Sequence, residues 1–170
     1  LVSTANMMRT EKIFPSGRQI DPSPKLFIGG AEVPTQGEPN PDRILKKIEN
    51  GVNFFQTQYV FEPNVLKEYM KILEDAGILE KAFFIIGIGP FASAKSAKWM
   101  NDNLYGVDVP EEIIKRLEQT KNAKEESKKI CLELTQIFQE IPGVNGVHLM
   151  GHNKEELIAE IIKESKVSLD

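Results

Sequence analysis

One cysteine in 170 residues excludes an intrachain disulfide. Cys131 lies within a helical pattern, reads as a small packed hydrophobe, and fits a reducing, cytoplasmic setting. Long apolar runs are missing too: none approaches the roughly 20 residues that a membrane-spanning helix requires. The chain has no basic stripe and a net charge of -4, which disfavours nucleic acid as a partner. No glycine-rich phosphate loop opens the first helix, which counts against a doubly wound nucleotide-binding fold. The start, Leu1-Val2-Ser3-Thr4, has neither a methionine nor a signal-peptide layout and reads as a cut from something longer.

What is present is ordinary in bulk, with 41% hydrophobic and 27% charged residues, enough for one domain. The pattern alternates strands and helices. Lys25-Leu26-Phe27-Ile28-Gly29-Gly30-Ala31 is a short apolar run after a proline-rich turn. The loop 34–39 leads to Asn40-Pro41, a cap residue with proline at the first helical position, and Ile44, Leu45 and Ile48 form the stripe of that helix. A second strand is expected over 52–58. Glu62-Pro63 then opens a helix carrying Val65, Leu66, Tyr69, Met70 and Leu73, which Gly77 ends. Residues 82–88 are the most hydrophobic run and read as a central strand. Ser93 caps the next helix, and Pro110-Glu111-Glu112 opens another. A long helix places Ile130, Leu134, Ile137, Phe138 and Ile141 on one face, with Glu125, Glu126, Lys128 and Lys129 toward water. The last strand spans 144–150, and an Asn153-capped helix buries Leu157, Ile158, Ile161 and Ile162.

Four βα units in order, with one extra helix, give an α/β fold of parallel strands with helices outside. The expectation is one domain over 1–170, the carboxyl-terminal half of a (βα)8 TIM barrel. Residues 1–24 would be the tail of a preceding helix and a connector. A complete flavodoxin-like domain is the alternative. Thr57-Gln58 closes the second strand at its carboxyl end, where ligands bind in parallel α/β folds. The glutamine offers a paired donor and acceptor that complements an amide-like heterocycle edge. Its bland reading is a polar residue ending a strand.

Several segments together resemble the methylenetetrahydrofolate reductase family. Gly51-Val52-Asn53-Phe54-Phe55-Gln56-Thr57-Gln58-Tyr59-Val60-Phe61-Glu62 is similar to its Thr-Gln-aromatic segment. Gly87-Ile88-Gly89-Pro90 resembles its Gly-Ile-x-Pro strand end, and Val107-Asp108-Val109-Pro110 its Val-x-Ile-Pro helix start. Gly143-Val144-Asn145-Gly146-Val147-His148 is similar to its closing strand. The resemblance runs from about Lys25 to the chain end and implies a flavin-binding barrel. Its expected reaction is the reduction of 5,10-methylenetetrahydrofolate to 5-methyltetrahydrofolate.

By that resemblance, Gln58 holds the pterin. Ser96 falls where the family has a further folate contact, often a glutamine. Met100 stands at the position of an aromatic over the folate, with Trp99 beside it either stacking or in the core. Lys154 takes the place of a basic residue near the folate tail, in a helix first turn whose dipole disfavours it. Lys46 and Lys47 would meet the phosphates or ribityl chain of FAD, or of FMN as the shorter form. Gly29, Gly30 and Ala31 would allow a flat ring to approach, although the family often has a tyrosine near there.

His152, at a strand-to-helix turn, is a candidate for lining the pocket, and Glu32 lies just beyond a strand end. His148 has no second metal ligand at suitable spacing, so no metal is expected. The family's acid and its flavin-side aspartate belong to the half not represented here, so no catalytic residue is assigned. A homo-oligomer or an electron-donor subunit would be the protein partner. The competing readings are a non-catalytic folate-binding protein on the same barrel and an unrelated α/β interaction domain.

Overall fold

The computed structural model describes residues 1–34 and 39–165, so part of the 34–39 loop lies outside them. In chain order the elements are α1 (Val2–Thr10), β1 (Gly29–Glu32), α2 (Pro41–Glu49), β2 (Phe54–Tyr59), α3 (Pro63–Asp75) and β3 (Phe83–Ile88). They continue with α4 (Ala94–Asn103), α5 (Glu111–Gln119), α6 (Ala123–Gln139), β4 (Val144–Leu149) and α7 (Glu155–Glu164). Each strand is separated from the next by at least one helix, so the strands must run parallel. They form one sheet in the order β1-β2-β3-β4, the arrangement of an arc of a (βα)8 barrel.

Side-chain alternation sorts the sheet into two faces. Phe55, Phe84, Ile86 and Ile88 are buried beneath the helices, and the Phe55 and Phe84 rings stack with centroids 5.1 Å apart. The opposite face, inside the arc, is open. There Phe54 and Phe83 are register partners, Phe27 stacks on Phe54 at 5.2 Å, and Phe27 and Phe83 are 62% and 52% exposed.

The helix starts follow their capping chemistry. The Asn40 side chain accepts the Arg43 N–H, that of Glu62 accepts the Asn64 N–H, and both caps are followed by proline. Gly51 ends α2 with φ 108°, a left-handed conformation that favours glycine. Helix α1 docks at the amino ends of the strands through Arg9, which donates to Leu26 O at 3.0 Å and Asn53 Oδ1 at 2.6 Å. No helix among the described residues is long and apolar enough to cross a membrane.

Several local expectations need correction. β1 begins at Gly29 rather than Lys25, because Arg9 takes the Leu26 carbonyl and the Asn53 side chain takes the Ile28 N–H at 3.0 Å. Glu32 is therefore the last residue of the strand, not one beyond it. Lys128 is buried: its ammonium sits among Glu164 at 2.9 Å, Glu125 at 3.3 Å and Glu160 at 3.8 Å, joining α6 to α7. The charges of α7 made this an inward position. Ile137 and Ile162 are exposed rather than buried. Asn153 is not the cap of α7; it takes φ 52° in the preceding turn, and the cap position falls to Lys154 without a side-chain bond.

Candidate functional site

The carboxyl end of β2 is irregular at Thr57-Gln58. Pairing with β3 is regular through Gln56–Ile85 and resumes at Tyr59–Gly87, so β2 carries one extra residue there. An extra residue leaves backbone groups without ladder partners, and two side chains replace them. Thr57 Oγ1 accepts the Gly87 N–H at 2.9 Å and donates to the Gln58 carbonyl at 2.8 Å. Gln58 Oε1 accepts the Tyr59 N–H at 3.0 Å. A Cβ at residue 87 would come within 2.5 Å of the Thr57 carbonyl, so Gly87 lets the bulge close against β3. The bulge carries the Gln58 amide to the strand end, where its Nε2 donates to Tyr105 O at 3.3 Å in the loop between α4 and α5.

The residues that follow this contact in the chain, Tyr59 and Gly106, line a cleft of about 430 Å³ together with Pro34, Phe61, Asn101 and Val107 among others. Tyr59 stacks on the buried Phe61 at 5.6 Å, and Phe61 packs tilted against the buried Phe91 at 4.7 Å, so Tyr59 is the accessible edge of this aromatic cluster. Burial, with the Cys131 side chain a second cause, raises the Tyr59 phenol above its ordinary value. An apolar wall next to a donor–acceptor amide suits a flat heterocycle with an amide-like edge.

The residues singled out from the sequence divide into groups. Gln58, the first turns of α4 and His152 all follow carboxyl ends of parallel strands, so they share one end of the sheet. Ser96 is committed to capping α4: its Oγ accepts the Ser93 N–H at 3.0 Å and the Ala92 N–H at 3.1 Å, while Ser93 Oγ accepts the Ser96 N–H. Met100 is half-buried against the core, and Trp99 beside it is exposed rather than core. His152 is exposed. Lys154 lines a separate cleft of about 420 Å³ with Lys124, Asn153, Glu155 and Glu156. His148 Nδ1 is buried without a hydrogen-bond partner among the described residues, and no group of three or more His, Cys, Asp or Glu there could hold a metal.

The flavin candidates have other tasks. Glu32 is 2% exposed and is held by Arg43 at 2.7 Å and by Lys47, whose ammonium also donates to Ala31 O at 2.7 Å. Removing either cation would leave a buried carboxylate short of a partner, a costly state. The Tyr69 hydroxyl, buried without a partner among the described residues, is raised by burial first and by the Glu32 charge second. A Cβ at Gly29 would meet Phe54 Cζ at 2.6 Å, and one at Gly30 would meet Phe55 Cε1 at 2.9 Å. Their small size thus serves the neighbouring rings. Of the five positions, Lys47 is engaged by Glu32 and the two glycines are packed by rings, which leaves Ala31 and Lys46 exposed.

Sequence reasoning missed Thr57 as a backbone substitute, the Glu32 ion pairs, and Asn101, which lines the cleft. Only Glu32 had a usable signal, since Arg43 and Lys47 fall four residues apart on one helix face.

A sequence profile described as methylenetetrahydrofolate reductase matches residues 36–166. Methylenetetrahydrofolate reductase 2 of Schizosaccharomyces pombe is 29% identical over 130 residues, covering 72% of this chain and 20% of that protein. A probable NADPH-type methylenetetrahydrofolate reductase of Caenorhabditis elegans is 27% identical over 124 residues, covering 71% and 18%. The chain therefore spans about a fifth of the length of these relatives. Among solved structures, an uncharacterized protein from Clostridium thermocellum that binds two copies of 5-methyl-5,6,7,8-tetrahydrofolic acid superimposes with TM-score 0.54 at 22% identity. The match covers 88% of this chain and 56% of that one. This likeness concerns the fold.

Proposed function

The chain belongs to the methylenetetrahydrofolate reductase family, and on that footing we propose that the complete protein is an oxidoreductase of one-carbon metabolism. It reduces 5,10-methylenetetrahydrofolate to 5-methyltetrahydrofolate, and this chain supplies part of the folate wall. The observation that carries the reading is the Gln58 amide, brought by a bulge to the carboxyl end of β2 next to Tyr59, which lines a cleft. Tyr59, backed by the buried Phe61, offers ring surface, Gln58 sets orientation, and Met100 lies on the neighbouring helix. Glu32 is fixed in ion pairs and is not proposed as an acid. When bound, FAD or FMN supplies the hydride; Lys46 and Ala31 are the positions of this chain left open toward it. A cytoplasmic setting and a homo-oligomer or electron-donor subunit belong to the same proposal.

The test is titration of the complete protein with 5-methyltetrahydrofolate. Gln58→Ala should weaken binding by roughly 1–3 kcal/mol, because polar atoms of the pterin lose their partner. Flavin absorbance should be unchanged. Equal binding by the variant and the wild type would remove Gln58 from the site. A second reading, folate binding without reduction, draws on the Clostridium thermocellum neighbour, which binds 5-methyltetrahydrofolate. Oxidation of reduced flavin on adding 5,10-methylenetetrahydrofolate decides for the reductase; tight binding with no flavin oxidation decides for the second reading.

A further inference from the structure

Two backbone atoms hold the Gln58 amide in one sense. Its Oε1 accepts from Tyr59 N at 3.0 Å and its Nε2 donates to Tyr105 O at 3.3 Å. A flipped amide would set donor against donor and oxygen against oxygen at the same two places. What stays available for a ligand is one N–H and one lone pair on adjacent atoms, in a fixed left–right order.

Tyr105 does not belong to the strand. It sits in the loop that follows α4, and that loop is tied back by one side chain. Asn101 Oδ1 accepts the Val109 N–H at 2.6 Å, and Asn101 Nδ2 donates to the Val109 carbonyl at 3.1 Å. The amide of Asn101 therefore pairs with both backbone groups of Val109, as a strand neighbour would. Val107 and Val109 are buried, while Tyr105 between the two ties is 85% exposed and Gly106 takes φ 71°. The Asn101 clamp ties down the far end of the turn that presents the Tyr105 carbonyl, and the Val107 N–H donates to Leu104 O at 3.2 Å within it.

We propose that Asn101 is a positioning residue for ligand recognition: it holds the loop of residues 104–109 so that the Tyr105 carbonyl, together with the Tyr59 N–H, fixes the Gln58 amide. The inference rests on the proposed role of Gln58 as the contact to a pterin-type edge. Its ligand is a heterocycle with one ordered donor–acceptor pair, and the two backbone ties hold the amide in the matching order. Losing the clamp frees the Nε2 end while the Tyr59 N–H still holds Oε1, so the donor half of the pair no longer points one way. The rotamer freedom regained by Gln58 costs about three- to tenfold in affinity.

A double-mutant cycle on the complete protein, titrated with 5-methyltetrahydrofolate, tests it. Asn101→Ala should weaken binding by about three- to tenfold in the wild-type background and have no further effect in the Gln58→Ala background. A residue that merely supports the fold would cost the same factor in both, and that result overturns the proposal. If circular dichroism shows that Asn101→Ala does not fold, Gly106→Ala, which strains the loop at its positive φ, replaces it in the cycle with the same expectations. If Gln58→Ala binds like the wild type, the proposed ligand contact is wrong and this inference falls with it. If Gln58→Ala weakens binding while Asn101→Ala leaves it unchanged, only the inference falls.

Discussion

Cys131 sits fully buried in α6, and burial pushes its thiol from 9.0 up to about 12. The thiolate is the reactive form, so this cysteine is not a nucleophile near neutral pH. The folded state keeps a proton that the unfolded chain releases above about pH 9. Stability is thus fully present at neutral pH and falls between about pH 9 and 12, by at most about 1.4 kcal/mol per pH unit. Tyr69, raised by burial, acts in the same direction at higher pH. Urea denaturation at about pH 8 and about pH 10.5 should show a larger loss for the wild type than for Cys131→Ala. Equal losses would contradict the assignment. Gln58 shows the limit of reading single residues: the sequence marks an amide at a strand end, but its orientation depends on Tyr59 and Tyr105.

At the scale of elements, α4 illustrates how one residue can serve two accounts. Ser96 occupies a position where family resemblance suggests a ligand contact, and its hydroxyl completes a capping box with Ser93. A cap lost from such a box costs about 0.5–2 kcal/mol. Ser96→Ala should therefore lower stability by about 1 kcal/mol in urea titration and leave 5-methyltetrahydrofolate affinity unchanged. A drop in affinity at constant stability would give the hydroxyl to the ligand. The strands teach a related lesson. Phe84 N donates to the Asn145 side chain at 2.8 Å at a second irregularity, between β3 and β4, as Gly87 N does to Thr57 in β2. Short apolar runs located the strands, although in the structure one face of the sheet is open; the bulges leave no mark in such runs.

For the molecule as a whole, the open face inside the arc dominates. Phe27, Phe54 and Phe83 form a contiguous aromatic surface there, and β1 and β4 are edge strands. Exposed edges and apolar patches of this kind drive association. Residues 1–170 expressed on their own should self-associate at micromolar concentration, and Phe83→Ser should shift sedimentation toward the monomer. A cooperatively folding, monodisperse wild-type monomer would argue against that. The same geometry gives the candidate site a single wall, since the carboxyl ends of four adjacent strands lie along one side of it.

The sequence by itself determined the order of βα units, the capped helix starts at Asn40, Glu62 and Ser93, and the strand end carrying Gln58. Those features follow from local rules: side-chain period, proline and cap chemistry, and the parallel pairing that intervening helices enforce. Only the tertiary structure decided that Lys128 is buried among α7 carboxylates, and that Gly29 and Gly30 are small to admit Phe54 and Phe55. It also decided that Asn101 clasps Val109 eight residues away, and that Thr57 takes a backbone place in the ladder. Each of these depends on a partner brought near by folding, and a one-dimensional pattern holds no record of which side chain will stand opposite another.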